Sequence, residues 1–430
     1  MRPEKPREIA ANLLSERHHG PYIEVLLEVA LGKFDLKSED RRFLQELVYG
    51  VVRWEMTLDW LIAQKTSDKP QKPLVQNLLR LALYQMFWLD RVPSYAAVNE
   101  TVEICKQSGL HPQAKFINAV LRGYGREAEQ TGKSLQDLRS TKPWLACSHP
   151  EWLYRRWEKQ LGAAKALQLM DWNNSPPPSY ARVNTLKTSF EGVSEQWRAE
   201  NVAFEPTDQD WLPSNTVVRL SNHPPLATLQ SFQDGLFYIQ DPSTLLAPTL
   251  LQAEKGQAIL DLCAAPGGKT TYLAQLIQNE GRIVAQDIDP VRLRTVAENA
   301  ARLGATCITT DAPISETELF DRVLVDAPCS NTGVMRRRVD LRWRIRPEEI
   351  IRLAATQLKI LERAATLTRP GGILVYSTCS LEREENQQVV TRFFASNSDF
   401  RLDTEKELSP MSNAVDGAYC ARLIRRAKTL

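Results

Sequence analysis

Metal ligands are the first thing this chain is short of. Its 430 residues hold five histidines and seven cysteines. There is no C-x-x-C pair and no histidine pair at ligand spacing, so we expect no metal site. No apolar run approaches the length needed to cross a bilayer. The start, Met1-Arg2-Pro3-Glu4-Lys5-Pro6, is charged and has no signal-peptide character. An odd, scattered cysteine set fits a reducing compartment. Together these features predict a cytoplasmic chain without a membrane partner. Charge of one sign is also scarce: 54 Lys and Arg against 52 Asp and Glu leave +2. A polyanionic partner would therefore be met by local basic patches and not by a global field.

What is present divides into three parts. Over residues 1–140 the apolar positions recur at helical spacing, as in Phe43, Leu44, Leu47, Val48 and Val51, or Leu74, Leu78, Leu79, Leu81 and Leu83. Prolines stand at the starts of these runs, and no alternating pattern intervenes, so an all-α helical bundle is expected. The polar stretch 127–142 reads as its closing linker. Residues 141–235 combine a helix, the hard break Pro176-Pro177-Pro178, a strand at Tyr180-Ala181-Arg182-Val183-Asn184 and many turns, which suggests a small α+β segment. From 236 to 430 strands (258–262, 282–287, 306–310, 322–326, 373–377, 418–424) alternate with helices (268–278, 290–303, 347–367, 384–395). That order predicts a doubly wound, Rossmann-like α/β domain.

The first of those strands runs into Asp261-Leu262-Cys263-Ala264-Ala265-Pro266-Gly267-Gly268-Lys269-Thr270. Small residues before a helix let backbone approach a ligand and offer free N–H groups. A phosphate-binding loop needs glycine where Cys263 stands, and G-x-G-x-x-G is absent. S-adenosylmethionine fits better, because its sulfonium is cationic and acids close successive strands. Asp287 would take the ribose hydroxyls, as the acid does there in dinucleotide folds. Asp311 would lie near the adenine. Cys263, Ala264, Ala265, Pro266, Gly267, Gly268 and Lys269 would form the rest of the cofactor site, with Asp326 at its edge.

Two strands end in near-matching cysteines, Asp326-Ala327-Pro328-Cys329-Ser330 and Tyr376-Ser377-Thr378-Cys379-Ser380. Cys105, Cys147, Cys307 and Cys420 read as small buried hydrophobes, and packing also suits Cys263. Cys329 and Cys379 differ, because both reach the carboxyl edge of the predicted sheet. A thiol beside a methyl donor suggests methylation of an unreactive carbon. Thiolate addition at C6 of a pyrimidine turns C5 into an enamine-like nucleophile. Asp326 would meet the N3/N4 edge of such a ring, and the base would have to leave its stack to enter. Spacing alone does not say which cysteine attacks. After Cys329 comes a basic run holding Arg336, Arg337, Arg338, Arg342, Arg344 and Arg346 with Trp343. We expect it to contact nucleic-acid phosphates and bases, with Arg425, Arg426 and Lys428 extending the patch.

These segments closely resemble the signature motifs of RNA (cytosine-5)-methyltransferases. The resemblance implies that Cys379, in the T-C-S motif, is the nucleophile and that Cys329, in the P-C-S motif, assists release. Residues 40–50, Asp90-Arg91-Val92-Pro93 with Ala97-Val98-Asn99-Glu100, and Phe116-Ile117-Asn118-Ala119-Val120-Leu121-Arg122 resemble the NusB-type RNA-binding helical domain. That layout is similar to the RsmB (Sun/Fmu) type of bacterial 16S rRNA methyltransferase. It implies cytosine 967 of 16S rRNA as target and 16S rRNA or a small-subunit assembly intermediate as partner, met by a monomer. It also implies that Arg182, Asn184, Gln240 and Asp241 line the site. This chain departs from the pattern at Asn331, where a small residue is usual, and at Arg338-Val339-Asp340 and Asp416-Gly417-Ala418-Tyr419. A tRNA substrate, or a non-catalytic RNA-binding assembly factor, stays open as an alternative.

Overall fold

The computed structural model describes residues 5–17, 20–310, 312–315 and 317–427. They form two compact units. One comprises residues 1–176 together with the later segment 335–344, and the other residues 177–334 and 345–430.

In the first unit every regular element is helical, from Pro6–Glu16 to Ala163–Asn174. The helix Ser38–Arg53 buries Leu44, Leu47, Val48 and Val51 along one stripe. The helix Pro73–Trp88 is buried nearly all round, with Leu78, Leu79, Leu81, Ala82 and Leu83 at 1% exposure or less. A helix without a polar face is a core helix, and its neighbours pack around it. The stretch expected to be a linker is instead the helix Ala128–Thr141. Only Thr131 and Leu138 are buried in it, too thin a stripe to stand out from a polar sequence. The helices Glu151–Leu161 and Ala163–Asn174 also belong to this unit, so the segment expected over 141–235 is divided between the two units.

The second unit holds two sheets. Strands β1 (Ser179–Val183), β2 (Ala203–Thr207), β3 (Val217–Asn222) and β4 (Phe237–Ile239) form an antiparallel sheet in the order β2-β3-β1-β4. The helix Phe190–Ala199 contributes Val193 and Trp197 to the core beneath it. The larger sheet comprises β5 (Ala258–Asp261), β6 (Arg282–Ala285), β7 (Ile308–Thr309), β8 (Phe320–Asp326), β9 (Thr368–Thr378), β10 (Phe400–Leu408) and β11 (Ala418–Arg425). Its order is β10-β11-β9-β8-β5-β6-β7. The strands β9, β8, β5, β6 and β7 run parallel, and at one edge β11 is reversed, pairing antiparallel with both β9 and β10. The chain winds from β5 to one side and then restarts at β8 on the other. The crevice between their carboxyl ends is the switch point where such sheets bind ligands. Strand β10 escaped the sequence reading because its middle is charged, which suits an exposed edge strand.

Candidate active site

Four strand ends meet at this crevice. Asp261 closes β5 and is almost fully buried. Its Oδ2 accepts from Thr270 Oγ1 at 2.8 Å, whereas Oδ1 has no protein partner. Burial pushes this carboxyl up to about 7. The following loop turns at Gly267, whose φ is +99° and whose missing Cβ would meet the Val296 backbone at 3.2 Å. Only glycine suits both demands. The loop after β6 is tied to it, because Asp287 accepts from Ala265 N at 3.2 Å and from Asp289 N at 3.1 Å. Asp311, expected near the adenine, lies outside the described residues, as does Lys428.

Asp326 closes β8, in register with Ser377 of β9. Its Oδ1 accepts from Ser377 Oγ at 2.8 Å and its Oδ2 from Lys269 Nζ at 2.6 Å. The lysine of the loop after β5 therefore reaches across to the β8 end. Burial pulls its ammonium down, but the ion pair with Asp326 outweighs this and the net is upward. A buried, unsatisfied carboxylate oxygen, with Asp287 and Asp326 at the neighbouring strand ends, makes an acidic surround. That donor set suits a ligand carrying a sulfonium and an ammonium.

The two cysteines come together beyond these acids. Cys329 Sγ and Cys379 Sγ are 3.3 Å apart. The Cys379 neighbour first, and burial second, raise the Cys329 thiol well above its ordinary range. The residues after each cysteine share one anchor. Glu385, fully buried, accepts from Ser330 N at 2.8 Å, from Ser330 Oγ, from Ser380 Oγ at 2.5 Å and from Gln357 Nε2 at 2.9 Å. Gly333 brings the loops into contact. Its N donates to Cys379 O, its O accepts from Gly417 N, and a Cβ there would lie 2.7 Å from Cys379 O. Both cysteines are half-buried. A small cleft is lined by Cys379 with Lys269, Asp326, Ser377, Ser243, Thr244 and Cys420, and Cys329 is not in its wall.

Ser243, Thr244 and Cys420 were not singled out from the sequence. Cys420 is buried, as expected, but the antiparallel pairing of β11 sets it opposite Ser377. No local pattern announces that pairing.

The expected RNA contacts need correction. Arg182 and Asn184 are fully buried. Arg182 donates to Gln240 Oε1 at 2.6 Å, Gly268 O at 2.5 Å and Thr271 Oγ1 at 2.9 Å, between the rings of Tyr238 and Tyr272. Burial lowers its guanidinium to about 10. Asn184 donates to Gly235 O and Leu303 O. Both brace the protein interior. Arg342 is also fully buried and belongs to the helical unit, donating to Asn174 Oδ1 (2.8 Å), Asn173 O (3.0 Å), Arg53 O and Ser148 O (both 3.2 Å). Arg336 is 2% exposed, 3.9 Å over the Trp172 ring, and Arg337 is half-buried. Trp343 donates to Val52 O, Arg344 to Pro21 O, and Asp340 takes Arg17 Nε at 2.6 Å and Ile23 N at 3.0 Å. Within this run Arg342 and Arg344 satisfy backbone carbonyls inside the bundle, whereas Arg338 is exposed. Arg425 likewise pairs with Asp399 and donates to Thr368 O.

Comparison with known proteins decides what this architecture is. A family model described as 16S rRNA methyltransferase RsmB/F matches residues 248–427. A NusB family model matches 4–126, and an RsmF/B-like ferredoxin-like domain matches 149–223. A relative from Bacillus subtilis (strain 168), "Probable ribosomal RNA small subunit methyltransferase B", is 36% identical over 95% of this chain and 92% of its own. This chain belongs to the RsmB/F family of 16S rRNA methyltransferases. Its fold also matches the crystal structure of PH0851, with TM-score 0.78 at 24% identity over 98% of this chain and 99% of that one. The structure of NSun6 from Pyrococcus horikoshii with SFG matches 65% of this chain and 99% of that one, with TM-score 0.57 at 23% identity. As an RsmB/F member the chain is an S-adenosylmethionine-dependent rRNA methyltransferase. Among the described residues no cluster of His, Cys, Asp and Glu is placed to hold a metal, and no helix is long and apolar enough to cross a membrane.

Proposed function

We propose that this chain methylates carbon 5 of a cytosine in 16S rRNA, of the position-967 type, through a transient bond between Cys379 Sγ and carbon 6. The observation that carries the reading is the sulfur pair, 3.3 Å apart at the ends of adjacent parallel strands, with Cys379 alone of the two in the wall that also holds Lys269 and Asp326.

Carbon 5 of cytosine is too weak a nucleophile to take a methyl group unaided. A sulfur–C6 bond pushes the ring's electron pair towards C5 and the N3 edge. Lys269 Nζ, held by Asp326, offers its charge and N–H donors to that edge. S-adenosylmethionine, which the 263–269 loop, Asp287 and Asp311 would hold, supplies the methyl group. Cys329 Sγ, 3.3 Å from Cys379 Sγ, is the nearest group to act in release. As a thiolate, Cys329 takes the proton on C5. The C6–S bond breaks as the ring double bond re-forms, and the electron pair returns to Cys379. The substrate in this reading is free 16S rRNA or a small-subunit assembly intermediate.

Incubation with 5-fluorocytosine RNA tests the assignment. Cys379→Ala should lose both methyl transfer and the covalent protein–RNA band. Cys329→Ala should accumulate an adduct on unsubstituted RNA. Full turnover by Cys379→Ala would overturn the roles, and bisulfite mapping at position 967 tests the target.

A further inference from the structure

Asn331 stands between the two reactive loops and has been given no role so far. Its backbone is left-handed, with φ at +58°, a conformation asparagine tolerates better than most residues. Its Nδ2 donates to Cys329 O at 2.7 Å. A carbonyl can only accept, so this bond fixes which end of the amide carries the nitrogen. The other end, Oδ1, lies 3.1 Å from Cys379 Sγ. An amide oxygen has no hydrogen to give, so the contact is made by Cys379 as an S–H donor.

We propose that Asn331 is a holding residue for the nucleophile, keeping the Cys379 sulfhydryl hydrogen-bonded to the 329–333 loop until the target base displaces it. The proposal rests on the reading of Cys379 as the attacking sulfur. Its physical basis is simple. The reactive species is the thiolate, and the lone pairs of an amide oxygen bond to S–H but repel S⁻. With no RNA bound, the amide therefore restrains the thiol from reacting with any electrophile. Attack on the base requires the sulfur to leave Asn331, so the bond also resists adduct formation until the base compensates for it.

Two substitutions preserve the left-handed turn and act in opposite directions. Asn331→Gly removes the amide. Asn331→Asp keeps the size, gives up the donor to Cys329 O and puts negative charge beside the sulfur that Oδ1 now meets at 3.1 Å. The test is alkylation of the full chain by iodoacetamide without RNA, followed by mass spectrometry of the peptide bearing Cys379, with thermal melting as a control on folding. Loss of one neutral hydrogen bond should speed Cys379 modification about five-fold in Asn331→Gly, and Asn331→Asp should slow it several-fold. An unchanged or slower rate in a normally melting Asn331→Gly would overturn the proposal. If that variant melts early, an unchanged or faster rate in Asn331→Asp would overturn it instead. Failure of the nucleophile assignment shows separately, as methyl transfer by Cys379→Ala.

Discussion

Replacing Arg342 by alanine separates a structural arginine from an RNA contact. The side chain is fully buried in the helical unit, and its guanidinium supplies two good hydrogen bonds, to Asn174 Oδ1 and Asn173 O, with longer ones to Arg53 O and Ser148 O. Hydrogen bonds from a charged donor contribute roughly 1.5–3 kcal/mol each. Against that stands the cost of keeping a cation out of water, visible in a guanidinium that burial pulls well below its ordinary range. Truncation leaves the acceptors unsatisfied and opens a cavity, so a net loss of about 4 kcal/mol is expected. For a unit of this size that corresponds to a drop of about 8–16 °C in melting temperature, measurable by calorimetry on the full chain. Arg338, exposed on the same run, is the control, and its replacement by alanine should leave melting unchanged. A true phosphate contact behaves in the opposite way, weakening RNA binding and lowering the salt slope by about 1 without a cost in stability. If Arg342→Ala melted like the parent and lost RNA affinity with a reduced salt slope, the interior assignment would be refuted.

If the buried Asp261 carboxyl meets the cationic cofactor, binding should depend on pH. The carboxyl is raised to about 7, so below that pH it is largely protonated, and a cationic ligand that prefers the ionised form must displace a proton. Affinity for S-adenosylmethionine should fall by up to about ten-fold per pH unit below 7, and titration calorimetry at pH 6, 7 and 8 should find this dependence reduced in Asp261→Asn. The same shift has a cost in stability. Both states are protonated at low pH. As pH rises from near 4, where the unfolded carboxyl ionises, to about 7, stability is progressively lost and then levels off. Gly333→Ala should place a Cβ 2.7 Å from Cys379 O and 2.8 Å from the Gly417 backbone. A displacement of the cysteine loop by the order of 1 Å can cost about 100-fold in rate, so covalent trapping should fall far more than melting temperature does.

Much of the sheet was legible because buried parallel strands are short apolar runs. Phe320–Asp326 and Thr368–Thr378 announce themselves in this way, and the helices Pro290–Leu303 and Pro347–Leu367 open on proline and keep an apolar stripe. The edge strand Phe400–Leu408 and the helix Ala128–Thr141 were missed because too few of their side chains are buried to leave a period. Arg342 misled for a related reason. A guanidinium that satisfies carbonyls in an interior and one that binds phosphate look the same in sequence, since both need the same fork of N–H donors.

The sequence by itself determined which chemistry was possible: two cysteines at strand ends, a small-residue loop before a helix, and acids at successive strands. These are local properties, carried by the residues and their neighbours along the chain. Only the tertiary structure decided how they meet. Strand order brought β8 beside β9 and so brought two thiols fifty residues apart to 3.3 Å. It also turned Lys269 towards Asp326, set Glu385 to anchor both loops and left Cys379 alone of the pair in the cleft wall. Those relations come from pairing and burial across long separations, and no short stretch of sequence encodes them.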